Sequence, residues 1–211
     1  MPTDKKNDDN NTMDLSGAKD PNYLQLPIVL AVLLSIGFAM AYGLFKLDSK
    51  NADVYEAKFE TIRSMDLQYV FLAFVVLGRT ISMLNFVPTG YKNGLKGNIR
   101  SNPFFYQTTD GTLVTYKDEG VLGKYNRSNR SVQHMVENAG GFFASVAAIG
   151  WVFPKQVLGI TMMFSLGRII HQKGYSSGYG SHALGFVAFL LSVLSLEGLA
   201  LLAFFKGQGI L

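Results

Sequence analysis

The sequence predicts an all-α integral membrane protein with five transmembrane helices and a β-hairpin in its longest loop. Three observations carry this expectation. Apolar residues make up 48% of the 211-residue chain and charged residues only 16%, against about 25% charged in an ordinary soluble domain. The apolar residues gather into five runs, each close to the roughly 20 residues that a bilayer-crossing helix needs. One loop holds two aromatic and β-branched runs around Asp110-Gly111, a strong hairpin signal. A soluble globular enzyme is excluded. So are disulfides, thiolate metal sites and a cysteine nucleophile, because the chain has no cysteine. Three histidines leave little for a histidine-rich metal site. The net charge of +4 is modest and unevenly placed, so it bears on topology and not on nucleic acid.

Residues 1–22 hold five Asp and three Lys with almost nothing apolar. Such a stretch buries too little surface to offset its ordering entropy and reads as a disordered polar tail. It has the pattern of neither a signal peptide nor a mitochondrial presequence. The first span covers residues 24–45, free of charge, with Pro27 in its opening turn. The second, 68–87, carries Arg79 near its middle and ends before Pro88. The third runs from a polar start near Ser131 to Phe153, the fourth covers 156–175, and the fifth covers 183–205. Gly140, Gly141, Gly150, Gly159 and Gly167 recur in the third and fourth spans, where small residues let helix backbones approach closely. The Met162-Met163 pair and the phenylalanines read as lipid-facing or packing residues.

With five spans the tail, the 88–130 loop and the 176–182 loop share one side. Counting Lys173, that side collects eleven basic residues against six on the other. The positive-inside rule then places the tail and the long loop in the cytosol or its topological equivalent. Within the loop, residues 104–108 and 112–116 predict the two hairpin strands. The sequons at Asn126 and Asn129 match glycosylation acceptors by chance only, since the cytosolic side is never glycosylated.

Ionisable groups inside a membrane are costly and point by default to function. Arg130, His134 and Glu137 are spaced by four and three, on one helical face at the entry of the third span. Arg168, His171 and Tyr175 share a face near the exit of the fourth. Antiparallel neighbours bring both sets to one depth, as a pocket suited to a zwitterionic, peptide-like anion. Arginine forks onto carboxylates there, and Glu137 takes an ammonium. Against this stand plainer readings. Arg130 alone is a topology anchor, Tyr175 alone an interfacial residue, and Glu137 with Arg168 a structural ion pair. Arg79 and Glu197, deep in the second and fifth spans, should face protein, paired with each other or with a partner subunit.

Arg130-x-x-x-His134-x-x-Glu137-Asn138 followed by Gly167-Arg168-Ile169-x-His171-x-x-x-Tyr175 resembles the membrane-associated proteins in eicosanoid and glutathione metabolism, the MAPEG family. The resemblance spans residues 130–205 well and reaches loosely back to the second span. It implies a four-helix transmembrane bundle in 67–211 with a loop insertion at 88–130. Residues 23–66 would add an extra N-terminal transmembrane helix and linker. It further implies that glutathione is the cofactor or co-substrate, held by Arg130, His134, Glu137, Arg168, His171 and Tyr175 between subunits of a homotrimer. Membrane lipid and a lipophilic small molecule would be the other partners. The residence implied is the endoplasmic reticulum or another internal membrane, with the mitochondrial inner membrane left open.

Two positions depart from the family pattern. His134 stands where the family has Asn. Catalytic members place an arginine at the start of the last helix to hold the glutathione thiolate, and here His182 falls at or near that position. An imidazole is not a permanent cation, and depressing a thiol pKa needs positive charge nearby. Two expectations follow: a glutathione transferase or peroxidase acting on lipophilic electrophiles, with His182 as the one catalytic candidate, or a non-catalytic accessory subunit among unlike membrane subunits. A transporter is disfavoured by the lack of an internal repeat.

Overall fold

The computed structural model describes residues 20–92, 104, 106–109 and 113–211. Most of the expected disordered tail, residues 1–19, lies outside the described residues, as does the Asp110-Gly111 turn. The fold is almost wholly helical: α1 (Gln25–Leu47), a short 3-10 turn, α2 (Ala52–Ser64), α3 (Gln68–Lys92), α4 (Gly120–Gly150), α5 (Pro154–Ser177) and α6 (Ala183–Gly207). Strands β1 (Tyr106–Thr109) and β2 (Leu113–Tyr116) form an antiparallel hairpin with Tyr106 opposite Tyr116.

Each boundary has a local cause. Asn22 accepts hydrogen bonds from the amides of Leu24 and Gln25 (3.0 and 3.2 Å), satisfying donors that the first turn of α1 leaves free. Pro154 opens α5, where its missing N–H costs nothing. The expected stop before Pro88 is not observed, because α3 continues through it to Lys92. Proline is tolerated in membrane helices where neighbouring groups re-satisfy the freed carbonyl. The third span likewise starts earlier than Ser131: α4 begins at Gly120 and carries both sequons in its first turns. Its added turns are polar, so hydropathy alone did not mark them as helix. The connection between these two helices, read as 88–130, therefore runs only from Lys92 to Gly120.

Three helices, Gln25–Leu47, Gln68–Tyr91 and Ala183–Gly207, are long and apolar enough to cross a membrane. The helices α4 and α5 are as long but more polar, and much of that polarity is turned inward: Ser128, Ser131, Arg168, His171 and Gln172 are all buried. Helix α5 packs against α3, α4 and α6 and forms the centre of the bundle. One apolar cluster, with Leu77, Phe142, Val146, Phe164 and Phe189, joins these four helices. The Phe142 and Phe164 rings lie 4.0 Å apart between centroids. A second cluster, with Leu30, Met83, Leu84, Tyr91 and Tyr125, is where α1 leans on α3 and α4.

Glycines set the closest approach. A methyl group at Gly167 would stand 2.8 Å from the Phe189 amide nitrogen, and one at Gly185 would overlap the His171 amide. Gly174 approaches the backbone of Ser181 and His182 in the same way, and Gly150 meets Val70. Of the five glycines expected at packed faces, only Gly150 and Gly167 are so placed within this chain. Among the described residues nothing stands within 4 Å of a methyl at Gly140, Gly141 or Gly159.

Arg127 ties the polar end of the bundle together. It donates to the Asp118 carbonyl and carboxylate (2.5 and 2.7 Å) and to the Ser176 carbonyl at the end of α5 (3.3 Å). Its side chain is mostly buried while Asp118 is half-exposed, so Arg127→Ala should cost about 2 kcal/mol. Thermal denaturation of the detergent-solubilised protein checks this, with a lower midpoint expected.

Candidate functional site

The N-terminal half of α4, the C-terminal half of α5 and the start of α6 converge on a pocket of about 180 Å³. It is lined by Arg130, Ser131, His134, His171, Tyr175, His182 and Phe186. The glycine contacts explain this convergence. Gly167 and Gly174 on α5 let α6 and its preceding loop lie against the α5 backbone, which carries His182 to within 5.3 Å of His171 and 5.0 Å of Tyr175, ring to ring. His134 faces His171 at 6.0 Å across the α4–α5 seam.

The rings are fixed by their neighbours. Ser131 Oγ and His171 Nδ1 are hydrogen-bonded at 2.9 Å. Tyr175 stacks on His171 at 5.5 Å. The His134 carbonyl accepts from Asn138 Nδ2 at 2.7 Å. His182 Nδ1 is buried and has no hydrogen-bond partner among the described residues, which leaves one ring nitrogen unsatisfied at the pocket wall. Among the described residues no group of His, Asp and Glu is arranged to hold a metal ion.

Arg168 lies beneath the pocket and not on its lining. It is fully buried, at 0% exposure. Nη2 donates to the Ser131 carbonyl at 2.7 Å, Nη1 sits 3.1 Å from His134 Nδ1, and the guanidinium rests over the Phe189 ring. Nε has no partner, and among the described residues no carboxylate reaches this cation. A buried charge without a counter-charge is expensive. Its retention here is the strongest chemical signal in the bundle.

Glu137, expected beside Arg168, turns instead to Arg130 on its own helix at 3.1 Å. It belongs to a neighbouring groove of about 270 Å³ between α4 and α6, with Asn138, Gly141, Ser145 and Glu197. The suggested Arg168–Glu137 ion pair is therefore not formed. Arg79 and Glu197 do not meet either, because Arg79 lines a groove between α1, α3 and α5 while Glu197 lines the α4–α6 groove.

Sequence reasoning missed three polar residues. Ser131 seats both His171 and Arg168. Ser128 accepts from Gln172 Nε2 at 2.8 Å, behind the pocket. The signal was present: Ser128 and Ser131 fall on the same face as Met135, and Gln172 lies four residues beyond Arg168. Small hydroxyls in a polar helix entrance simply did not stand out from a loop.

A protein-family model described as the MAPEG family matches residues 70–205. That match begins two residues into α3 and ends near the end of α6, leaving α1 and α2 outside it. No curated protein and no solved structure matches the chain.

Proposed function

The chain belongs to the MAPEG family, and from that premise we propose that it is an integral membrane protein that binds glutathione and uses it as a transferase or peroxidase on lipophilic electrophiles. The observation that carries this reading is Arg168, a buried guanidinium with no carboxylate partner among the described residues and an unsatisfied Nε. Glutathione brings two carboxylates and one ammonium. Arg130 on the pocket wall matches the first and Glu137 the second, while Arg168, just beneath the lining, offers a carboxylate its one free nitrogen, Nε, once the His134 ring above it gives way. From Ser131 to Glu137 the α4 axis advances about 9 Å, close to the roughly 10 Å of an extended tripeptide. The pocket alone is small beside the roughly 300–1,000 Å³ of ordinary ligand sites. The tripeptide therefore extends past Arg130 into the groove that holds Glu137, and a second subunit closes it over.

In this arrangement Tyr175 and His182 border the sulfur, and His134 and His171 shape the floor. The thiol passes its proton to water, the thiolate lone pair forms the bond to the electrophilic carbon, and the displaced group leaves that carbon with the electron pair of the bond that breaks. Hydrogen-bond donors held in place around the sulfur favour the thiolate without reorganisation. The lipophilic partner enters sideways from the bilayer. The chain crosses that bilayer five times, with 1–22 as a tail, 23–66 as an added helix and linker, and 67–211 as the glutathione-binding bundle of a homotrimer. The membrane is the endoplasmic reticulum or another internal one.

Two observations favour a second reading. His182, and no arginine, stands at the start of α6, and α1 and α2 fall outside the family match. An accessory subunit that kept the pocket but lost thiolate chemistry, in a complex with unlike membrane subunits, fits both facts. Calorimetric titration of the purified protein with glutathione tests the first requirement of the leading reading. Saturable binding supports it, and no heat at millimolar glutathione sinks it. The variant His182→Arg separates the two readings. If only the cation is missing, it raises the conjugation rate with 1-chloro-2,4-dinitrobenzene at least tenfold, in step with new thiolate absorbance.

A further inference from the structure

A second cavity shares no lining residue with the histidine pocket. A groove of about 810 Å³ runs between α1, α3 and α5, walled by Leu30, Leu34, Val75, Met83, Met162 and Ile169 among others. The helix α1 that closes it lies outside the family match, so this space is particular to the added segment. Its volume falls within the roughly 300–1,000 Å³ typical of a site for one small molecule.

Three polar side chains line it: Arg79, Thr80 and Ser165. Thr80 is spoken for, its hydroxyl donating to the Val76 carbonyl at 2.9 Å. Thr161 and Ser192 fold back onto their own helices in the same way. Ser165 does not. It is 6% exposed, and among the described residues its Oγ has no partner. Among the described residues Arg79 has neither a hydrogen bond nor an ion pair, and no carboxylate lines the groove. Arg79 lies 11 residues into the 25-residue α3, about 16 Å along its axis, so the cation sits near mid-span. A charge at that depth calls for a partner, and none comes from the described residues.

We propose that this groove binds a long-chain fatty acid, its carboxylate on Arg79 and Ser165 and its alkyl chain along α1 and α3. The occupant must be apolar along most of its length, anionic at one point and single-chained. A phospholipid satisfies none of the last two conditions at mid-span, since its phosphate stays at the headgroup level and two acyl chains overfill the space. A neutral lipid leaves the guanidinium unbalanced.

The test is displacement of the fluorescent fatty acid cis-parinaric acid from the purified, delipidated full-length protein in detergent. Oleic acid should displace it, and methyl oleate, which has the same chain without the charge, should be at least tenfold weaker. In Arg79→Gln the acid should fall to the level of the ester while glutathione titration is unchanged. Ala31→Trp, which fills the groove from the α1 side, should lower probe binding with Arg79 intact. Circular dichroism and gel filtration confirm that each variant is folded. Equal displacement by acid and ester, undiminished acid binding in Arg79→Gln, or no saturable probe site in the wild type would each overturn the proposal. So would a photo-crosslinker at Leu34 that captures a partner helix in the native membrane.

Discussion

Replacing Arg168 with methionine should weaken glutathione binding roughly ten- to a hundredfold while leaving the protein at least as stable as the wild type. The two halves of this result come from different terms. Methionine fills much of the arginine volume with apolar atoms, and exchanging an uncompensated buried charge for an apolar side chain is commonly neutral or stabilising. The loss of two internal contacts, to the Ser131 carbonyl and to His134, offsets part of that gain. Binding behaves differently. One charge-assisted hydrogen bond from the free Nε to a carboxylate contributes about 1.5–3 kcal/mol, which is roughly ten- to a hundredfold in affinity. Calorimetry reads the affinity, and thermal denaturation in detergent reads the stability. Arg168→Lys keeps the charge without the fork and should fall between. If Arg168→Met instead unfolds the protein, the guanidinium is a structural strut between α4 and α5, and the accessory reading gains.

Much of this architecture is legible in the chain, for identifiable reasons. Five apolar runs mark five of the long helices, and three of these are long and apolar enough to cross a membrane. The hairpin is visible because Asp-Gly between β-branched and aromatic runs has a local signature. The two halves of the site are visible because spacings of three and four place Arg130, His134 and Glu137 together without knowledge of any partner. The direction in which each side chain turns is not visible. Glu137 and Arg168 are both charged and near each other in depth, yet Glu137 faces the α4–α6 groove and Arg168 faces the core. That choice depends on helix rotation about its axis, which interhelical packing decides. Ends of helices escape for a related reason. The first turns of α4 are polar yet buried against Asp118 and Ser176, and hydropathy takes such turns for loop.

The second large effect is expected at Gly185. A side chain there has no room, because its Cβ would overlap the His171 amide and stand 2.6 Å from the Gly167 carbonyl oxygen. The obstruction is backbone on a central helix, so it cannot swing aside as a side chain can. Relief requires α6 to move away from α5, opening the contact at Gly167 and Phe189 and displacing His182 from the pocket. Overpacking of this kind costs about 1–3 kcal/mol, and Gly185→Val adds two γ-methyls to the clash, so the upper end or failure to fold is expected. Glutathione affinity should fall along with the melting midpoint, because His171 and His182 shift together. The contrast is Gly140→Ala on α4, where nothing stands within 4 Å of the added methyl. In an isolated chain that change should be neutral or stabilise by up to about 1 kcal/mol, the helix-propensity difference between glycine and alanine. A destabilised or dissociated oligomer in Gly140→Ala, read by cross-linking and gel filtration, would instead mean that a second subunit packs against that face. The pair of variants thus separates glycines that hold this chain's own helices together from glycines kept for a neighbour.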